Sequence, residues 1–286
     1  MIDLDYSAFG RTSARSTVHT QGDSDFEASH GAEEPRSAKP PRSTEPNGPR
    51  AKSLAEIVAS WKEDGALEHE ATGIPSLDQL TSGGPIYGTR WYIVGAPNAS
   101  KTALTVQFAH EFAKRGIAVG FLAIDEEDND VTTRFAQRLG WLRIHCEERE
   151  AHILEPLIEQ VESLPIRIYG PEWTIERAGK HLADFAAAQG KRAAFFVDSI
   201  QTATSDAGKT SQGPREVVSA NVQALRSVAT THRMITIATA EMSRGSYRSA
   251  KAVEETNDMA SGAESRAIEF SARVLLALRS VKGEPD

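Results

Sequence analysis

Residues 95–102 carry the clearest chemical pattern in the sequence. They read Gly95-Ala96-Pro97-Asn98-Ala99-Ser100-Lys101-Thr102, follow an apolar run at 91–94 and precede a helix-forming run that begins at 103. A glycine-started loop that ends in Lys-Thr between a strand and a helix is typical of a P-loop. Backbone N–H groups at the start of the helix would face phosphate oxygens, where the helix dipole favours negative charge. We therefore expect these eight residues to bind ATP, with Lys101 at the β- and γ-phosphates and Thr102 on Mg²⁺.

Ser100 stands where such a loop usually has its second glycine. A side chain at this position crowds the phosphates and lacks the conformational freedom of glycine. We therefore expect a nucleotide site, and rapid hydrolysis only if other residues supply the chemistry.

Acidic residues follow two other apolar runs. Asp198 closes the run at 193–197, which is the position of a Walker B aspartate that holds Mg²⁺. The cluster Asp125-Glu126-Glu127 follows the run at 118–124. ATP hydrolysis needs a carboxylate that orients and polarises a water molecule. We expect Glu126 to be this base, with Asp125 and Glu127 as alternatives, and at least one of the three to cap the next helix.

Short apolar runs alternate with helical patterns along the chain. We predict strands at 91–94, 118–124, 166–169, 193–197, 234–240 and 273–278, and helices at 129–139, 147–163, 174–189 and from about 214 to 230. This alternation is typical of an α/β fold with a mainly parallel, twisted sheet flanked by helices. Ligands bind beyond the carboxyl ends of such strands, where the loop at 95–102, the acidic cluster and Asp198 all lie.

The N-terminal part differs in composition from the rest. Residues 1–50 are rich in Ser, Pro and charged residues, and we predict a disordered tail because so little apolar surface cannot offset the entropy of ordering. Residues 51–286 are predicted to form one domain. Its leading helix, at 53–63, has Ser53 as N-cap and an apolar face made of Leu54, Ile57, Val58 and Trp61. We expect this face to pack on its own domain, with a neighbouring subunit as the alternative.

Composition limits the function classes. The 286 residues carry a formal net charge of −8, which argues against tight nonspecific adhesion to nucleic acid but leaves room for local basic loops. The single cysteine, Cys146, can form neither an intramolecular disulfide nor a zinc cluster, and suits a reducing compartment. We find no apolar run that could span a membrane or serve as a signal peptide. We therefore expect a soluble, cytoplasmic protein.

Several segments together resemble the ATPase domain of DnaB-type replicative helicases. They are Thr72-Gly73-Ile74-Pro75-Ser76-Leu77-Asp78-Gln79-Leu80-Thr81-Ser82-Gly83-Gly84, Asp198-Ser199-Ile200-Gln201, Thr239-Ala240-Glu241-Met242-Ser243-Arg244, and Ser261-Gly262-Ala263-Glu264 with the last strand. The similarity spans about residues 70–280. The wider group includes RecA, RadA and KaiC, and the segment Ile124-Asp125-Glu126-Glu127 is more similar to KaiC than to DnaB.

The resemblance implies a RecA-like core that binds ATP between subunits of a homo-oligomer, either a hexameric ring or a filament. It implies that Glu241 occupies the position of the γ-phosphate sensor. It also implies that loops after Asp198 and Glu241 contact single-stranded DNA. The basic candidates are Lys209 and Arg215 in the first loop, and Arg244, Tyr247, Arg248 and Lys251 in the second.

Departures from the DnaB pattern bear on activity. Glu241 replaces a glutamine, and a carboxylate beside phosphate repels it unless it is protonated or paired with a cation. A gapless alignment places Asp125, not Glu126, at the catalytic glutamate. The sequence ends at Asp286, before the hairpin that carries the family's trans-acting Lys and Arg. Three hypotheses follow, in this order: a DNA-acting ATPase, helicase-like or a replication or recombination accessory; a KaiC-like regulatory ATPase; and a non-hydrolysing nucleotide-binding module.

Overall fold

The computed structural model describes residues 51–211, 213–241 and 263–279. The predicted tail at 1–50 lies outside the described residues, as do the DNA-binding candidates Arg244, Tyr247, Arg248 and Lys251. The chain divides into two units, Met1–Ile57 and Val58–Asp286. Of the first unit, only residues 51–57 are described.

The described elements alternate between helices and strands. In chain order they are α1 (Leu54–Asp64), α2 (Pro75–Leu80), β1 (Arg90–Gly95), α3 (Lys101–Lys114), β2 (Ala118–Ala123), α4 (Asp128–Arg138), α5 (Arg143–Glu148), α6 (Ala151–Glu162), β3 (Ile166–Tyr169), α7 (Ile175–Ala188), β4 (Ala193–Asp198), a 3₁₀ turn (Gly208–Thr210), α8 (Pro214–Thr231), β5 (Ile235–Glu241), α9 (Ala263–Ser271) and β6 (Val274–Leu278).

The six described strands form one parallel sheet in the order β3-β2-β4-β5-β1-β6. At least one helix lies between every two successive strands of the chain, so each connection crosses over the sheet, as parallel pairing requires. The predicted α/β fold with a parallel sheet is therefore confirmed.

Each face of the sheet builds its own apolar core. Successive side chains of a strand point to opposite faces, so Trp91 and Ile93 of β1 join a core with α3 and α4, where Phe121 meets Phe135 edge-on at 6.0 Å. Tyr92 and Val94 join the other core, which is formed with α7, α8 and α9. Both faces are covered, so the strands read as continuous apolar runs.

Helix α1 begins as predicted. The Glu56 backbone N–H donates to Ser53 Oγ at 3.2 Å, and the Ser53 backbone N–H donates to the Glu56 carboxylate at 2.7 Å, which is a capping box. Its apolar side chains, from Leu54 to Trp61, are exposed. Among the described residues, no helix is long and apolar enough to cross a membrane.

The single helix predicted at 147–163 is wrong. Two helices, α5 and α6, occupy this region. Arg149 adopts a left-handed conformation (φ 53°, ψ 34°) and its N–H caps α5 by donating to the His145 carbonyl, while the extended Glu150 starts α6. Apolar periodicity does not register such a one-residue break. Helices α2 and α9 were not predicted.

Candidate nucleotide-binding site

The loop between β1 and α3 has a backbone conformation that favours glycine at several of its positions. A Cβ added to Gly95 would lie 3.0 Å from the carbonyl oxygen of Leu278, on the neighbouring strand β6. Ser100 (φ 62°, ψ 28°) and Asn98 (φ 62°) both adopt the left-handed region, which glycine enters without steric cost and other residues rarely enter. Ser100 thus holds the conformation of the glycine it replaces.

Lys101, the first residue of α3, is buried within the loop. Its Nζ donates to the backbone oxygens of Ala96 at 2.8 Å and of Gly95 at 3.2 Å. A carboxylate oxygen of Glu241 lies 3.9 Å from the same Nζ. Strand register explains this proximity, because Gly95 and Glu241 are paired residues at the ends of β1 and β5. The structure therefore brings the predicted lysine and the predicted sensor position together.

Asp198 ends β4 beside the start of α3. Thr102 Oγ1 donates to Asp198 Oδ2 at 2.6 Å, and the Thr239 hydroxyl donates to the other oxygen, Oδ1. Burial raises the pKa of Asp198, hydrogen bonds from the two threonines oppose this effect, and the charges of Asp125 and Glu126 add to it. The carboxylate is therefore held in a fixed orientation toward Thr102.

The donor set suits Mg²⁺. Within the described residues, no group of three or more His, Cys, Asp or Glu side chains could hold a metal ion. Thr102 and Asp198 do supply two hard oxygen donors. Mg²⁺ is commonly bound through one or two protein oxygens together with substrate phosphates and water, not in an all-protein cage. These two residues therefore fit a metal that arrives with a nucleotide.

The three acidic residues after β2 have different surroundings. Asp125 Oδ1 accepts a hydrogen bond from Thr202 Oγ1 at 2.5 Å. Glu126 accepts from Arg134 Nε at 2.7 Å and from Arg134 Nη2 at 2.5 Å. Glu127 is the N-cap residue of α4, where its side chain makes no capping hydrogen bond. The cluster is therefore three separately placed groups rather than one acidic patch.

The described DNA-binding candidates lie in the segment after β4. Lys209 Nζ is 3.4 Å from Asp206 Oδ1, and Arg215 is exposed in the first turn of α8. The buried Asn221 ties this segment down by donating to the carbonyl oxygens of Ile200 and Ala203. Arg244 and Arg248 lie outside the described residues.

Four polar residues at the site had no predicted role. Thr239, Thr202 and Gln201 contact the predicted residues, and Gln201 exchanges hydrogen bonds with the backbone N–H and carbonyl of Glu241. Gln201 and Thr239 belong to the segments that resemble DnaB-type domains, and this was the only sequence feature that could have identified them. Arg134, on α4, had none.

Comparisons with known proteins agree with this architecture. A DnaB-like replicative helicase, described with its interactions with primase, matches with a TM-score of 0.62 and 18% identity over 79% of this chain and 56% of its own. The ATPase domain of G40P matches with a TM-score of 0.63 and 18% identity over 81% and 84%. The KaiC-like protein PH0186 of Pyrococcus horikoshii OT3 matches with a TM-score of 0.50 and 20% identity over 75% and 82%.

At these identities the structures establish a shared fold. The chain spans just over half the length of the DnaB-like helicase. No curated protein sequence matches. The model of the family described as "ATPase: KaiC" matches residues 70–260, which is more than half of the chain and includes the loop at 95–102, Asp198 and Glu241. The chain therefore belongs to the KaiC family of RecA-like P-loop ATPases.

Proposed function

We propose that this chain binds ATP at residues 95–102 and hydrolyses it. The observation that carries the proposal is the convergence of Lys101, Thr102 and Asp198 at the carboxyl ends of β1 and β4. Backbone N–H groups of the loop and Lys101 Nζ bind the phosphates. Phosphate oxygens take the place of the carbonyl oxygens and the Glu241 carboxylate that Lys101 now faces.

Thr102 and Asp198 would hold Mg²⁺, which when bound neutralises phosphate charge. Glu126 orients a water molecule toward the γ-phosphate and accepts its proton. Glu241 senses the γ-phosphate through its contact with Lys101. The two departures at this site, Ser100 and Glu241, favour a slow or conditional ATPase.

Nucleotide binding and turnover test the proposal. Lys101→Ala should abolish ATP binding, measured with a fluorescent nucleotide, because it removes the only side-chain cation that the described loop aims at the phosphates. Lys114→Ala, at the exposed far end of the same helix, is the matched control. Retained affinity in Lys101→Ala would refute the site. Glu126→Gln should bind ATP and fail to turn it over, whereas wild-type protein that binds without turnover would support the non-hydrolysing module instead.

We further propose that ATP turnover is coupled to single-stranded DNA. The support is the resemblance to DnaB-type ATPase domains and the exposure of Lys209 and Arg215 on the segment after Asp198. Basic side chains that track phosphates make such binding dependent on salt. Single-stranded DNA should therefore stimulate ATPase activity at low salt, and Lys209→Ala with Arg215→Ala should weaken the stimulation.

A KaiC-like regulatory ATPase, whose loops contact protein partners, is the second candidate. The ion pair between Lys209 and Asp206 favours it, because a lysine already paired with a carboxylate is a poorer phosphate ligand. Absence of stimulation by DNA across a range of salt would favour this candidate over the first. Under both, we propose a homo-oligomer, a hexameric ring or a filament, with ATP between subunits; mass photometry with and without ATP and DNA tests it.

A further inference from the structure

The ion pair between Glu126 and Arg134 distinguishes Glu126 from its acidic neighbours. Arg134 donates from Nε to Oε2 and from Nη2 to Oε1, at 2.7 and 2.5 Å. This side-by-side pairing engages both carboxylate oxygens and fixes the plane of the carboxylate as well as its position. It uses two of the about four lone-pair sites of the carboxylate, so Glu126 can still accept a hydrogen bond from water.

Arg134 lies on a rigid support. Its helix, α4, is anchored to the sheet through Val131 and Phe135, both buried in the core shared with α3. Side chains of a helix lean toward its N-terminus, which directs Arg134 back toward residue 126, just before the helix starts. A site held by a packed helix is more sharply defined than one held by a loop.

The paired Glu126 stays at the nucleotide site. The backbone N–H groups of Ile124 and Asp125 donate to the carbonyl oxygen of Asp198, at 2.9 and 3.3 Å. Glu126 is the next residue along the chain. The segment that carries Glu126 is therefore fixed beside the residue proposed to hold the metal, and Arg134 holds the Glu126 carboxylate there.

The neighbouring carboxylates are held by other groups. Thr202, after β4, donates to Asp125, and Glu127 occupies the N-cap of α4. Among the three, Glu126 is the one that the described structure pairs with a cation. We infer that Arg134 is the positioning residue for Glu126: it fixes the carboxylate that activates water, and so selects Glu126 as the base. This inference rests on the proposed ATPase function.

The test compares variants of the full chain in steady-state ATP turnover and nucleotide binding. Arg134→Gln should lower kcat by about 10- to 100-fold, the scale on which misplacing a catalytic group acts. Its Kd for ATP should change by less than about threefold, because a residue that acts on the base affects the transition state more than ground-state binding. Arg134→Lys, which keeps the charge but not the two-pronged geometry, should recover part of kcat and guards against loss through misfolding.

Arg138→Gln is the matched control. Arg138 lies one turn along the same helix, is similarly exposed and has a 4.0 Å ion pair to Glu111. Its kcat should stay at the wild-type value. Adding Arg134→Gln to Glu126→Gln should cause no further loss, because residues that act as a unit are not additive.

The possible outcomes distinguish a failure of this inference from a failure of the proposed ATPase function. Wild-type protein without turnover would overturn the proposed function and the inference with it. Wild-type turnover that Glu126→Gln leaves normal would place the base elsewhere; it would overturn the role of Glu126 and this inference but leave the ATPase function standing. The inference alone would be overturned by an Arg134→Gln enzyme with unchanged or higher kcat, by losses that multiply in the double variant, or by an equal loss in Arg138→Gln.

Discussion

Replacing Glu241 by glutamine should tighten ATP binding. The Glu241 carboxylate lies 3.9 Å from Lys101 Nζ, the atom proposed to contact the γ-phosphate, so bound ATP brings a second anion to the same cation. Glutamine keeps the shape of the side chain and removes its charge. The position of residue 241 should persist, because Gln201 holds its backbone N–H and carbonyl and neither bond uses the Glu241 side chain.

The size of the effect follows from distance and exposure. Two unit charges about 4 Å apart interact by about 1 kcal/mol at the dielectric constant of water and about 4 kcal/mol at an effective value of 20. The Glu241 side chain is 54% exposed, so the lower value applies, and about 1 kcal/mol corresponds to about a fivefold lower Kd for ATP. ADP lacks the γ-phosphate, so its Kd should change by less than about twofold.

A fluorescent-nucleotide titration at two salt concentrations measures both constants. The gain for ATP should shrink at high salt, since screening weakens interactions of exposed charges. Glu68→Gln is the matched control. Its side chain is 53% exposed and forms an ion pair with Arg192, which directly precedes β4 and so lies at the amino ends of the strands, away from the nucleotide site. Equal tightening for ADP and ATP, or weaker ATP binding in Glu241→Gln, would refute the proposed repulsion.

Two further substitutions test the loop and its helix. Ser100→Gly should raise the free energy of unfolding by about 1 kcal/mol in a denaturant titration, because it relieves a left-handed conformation; Ser82→Gly (φ 56°) is the control away from the loop, and a loss of stability in Ser100→Gly would contradict the strain. Burial lowers the pKa of His110, although the nearby Glu111 opposes this effect. In the described structure the two ring nitrogens of His110 have no hydrogen-bond partner. The unfolded chain then binds the proton more readily, so stability should fall as pH drops below about 6.5, by at most about 1.4 kcal/mol per pH unit. His110→Leu should remove that component from denaturation curves at neutral and mildly acidic pH, and an unchanged slope would contradict it.

The sheet and the place of its site could be predicted from local patterns. Continuous apolar runs mark strands that are covered on both faces, and the residues that follow such strands meet at one edge of a parallel sheet. This is why Gly95, Asp198 and the acidic residues at 125–127 could be expected together although they are far apart in the chain, whereas Glu241 was assigned through the resemblance. The break at Arg149 could not be predicted, because a single left-handed residue leaves the helical period of the flanking segments intact.

Contacts that depend on packing were beyond the sequence pattern. Nothing in the order of residues shows that α4 turns Arg134, rather than Arg138, toward Glu126. The docking of Val131 and Phe135 against the sheet decides it. Similarly, Asp125, Glu126 and Glu127 are neighbours in the sequence. In the structure, Arg134 of α4 holds Glu126, and Thr202 of the segment after β4 holds Asp125. Tertiary contacts therefore distinguish three residues that look equivalent in the sequence.

Two ion pairs at this site separate binding from chemistry. Glu241 faces Lys101 where phosphate would lie, so ATP must displace a carboxylate that the protein already supplies, and the departure from glutamine acts on affinity. Arg134 holds Glu126, which contacts water rather than phosphate in the proposed reaction, so its loss acts on kcat. ATP affinity and kcat are thus controlled by different ion pairs. Substitutions at residue 241 should change KM with little change in kcat, and substitutions at residue 134 should change kcat with little change in KM. If both sets of substitutions changed the same constant, this separation would be refuted.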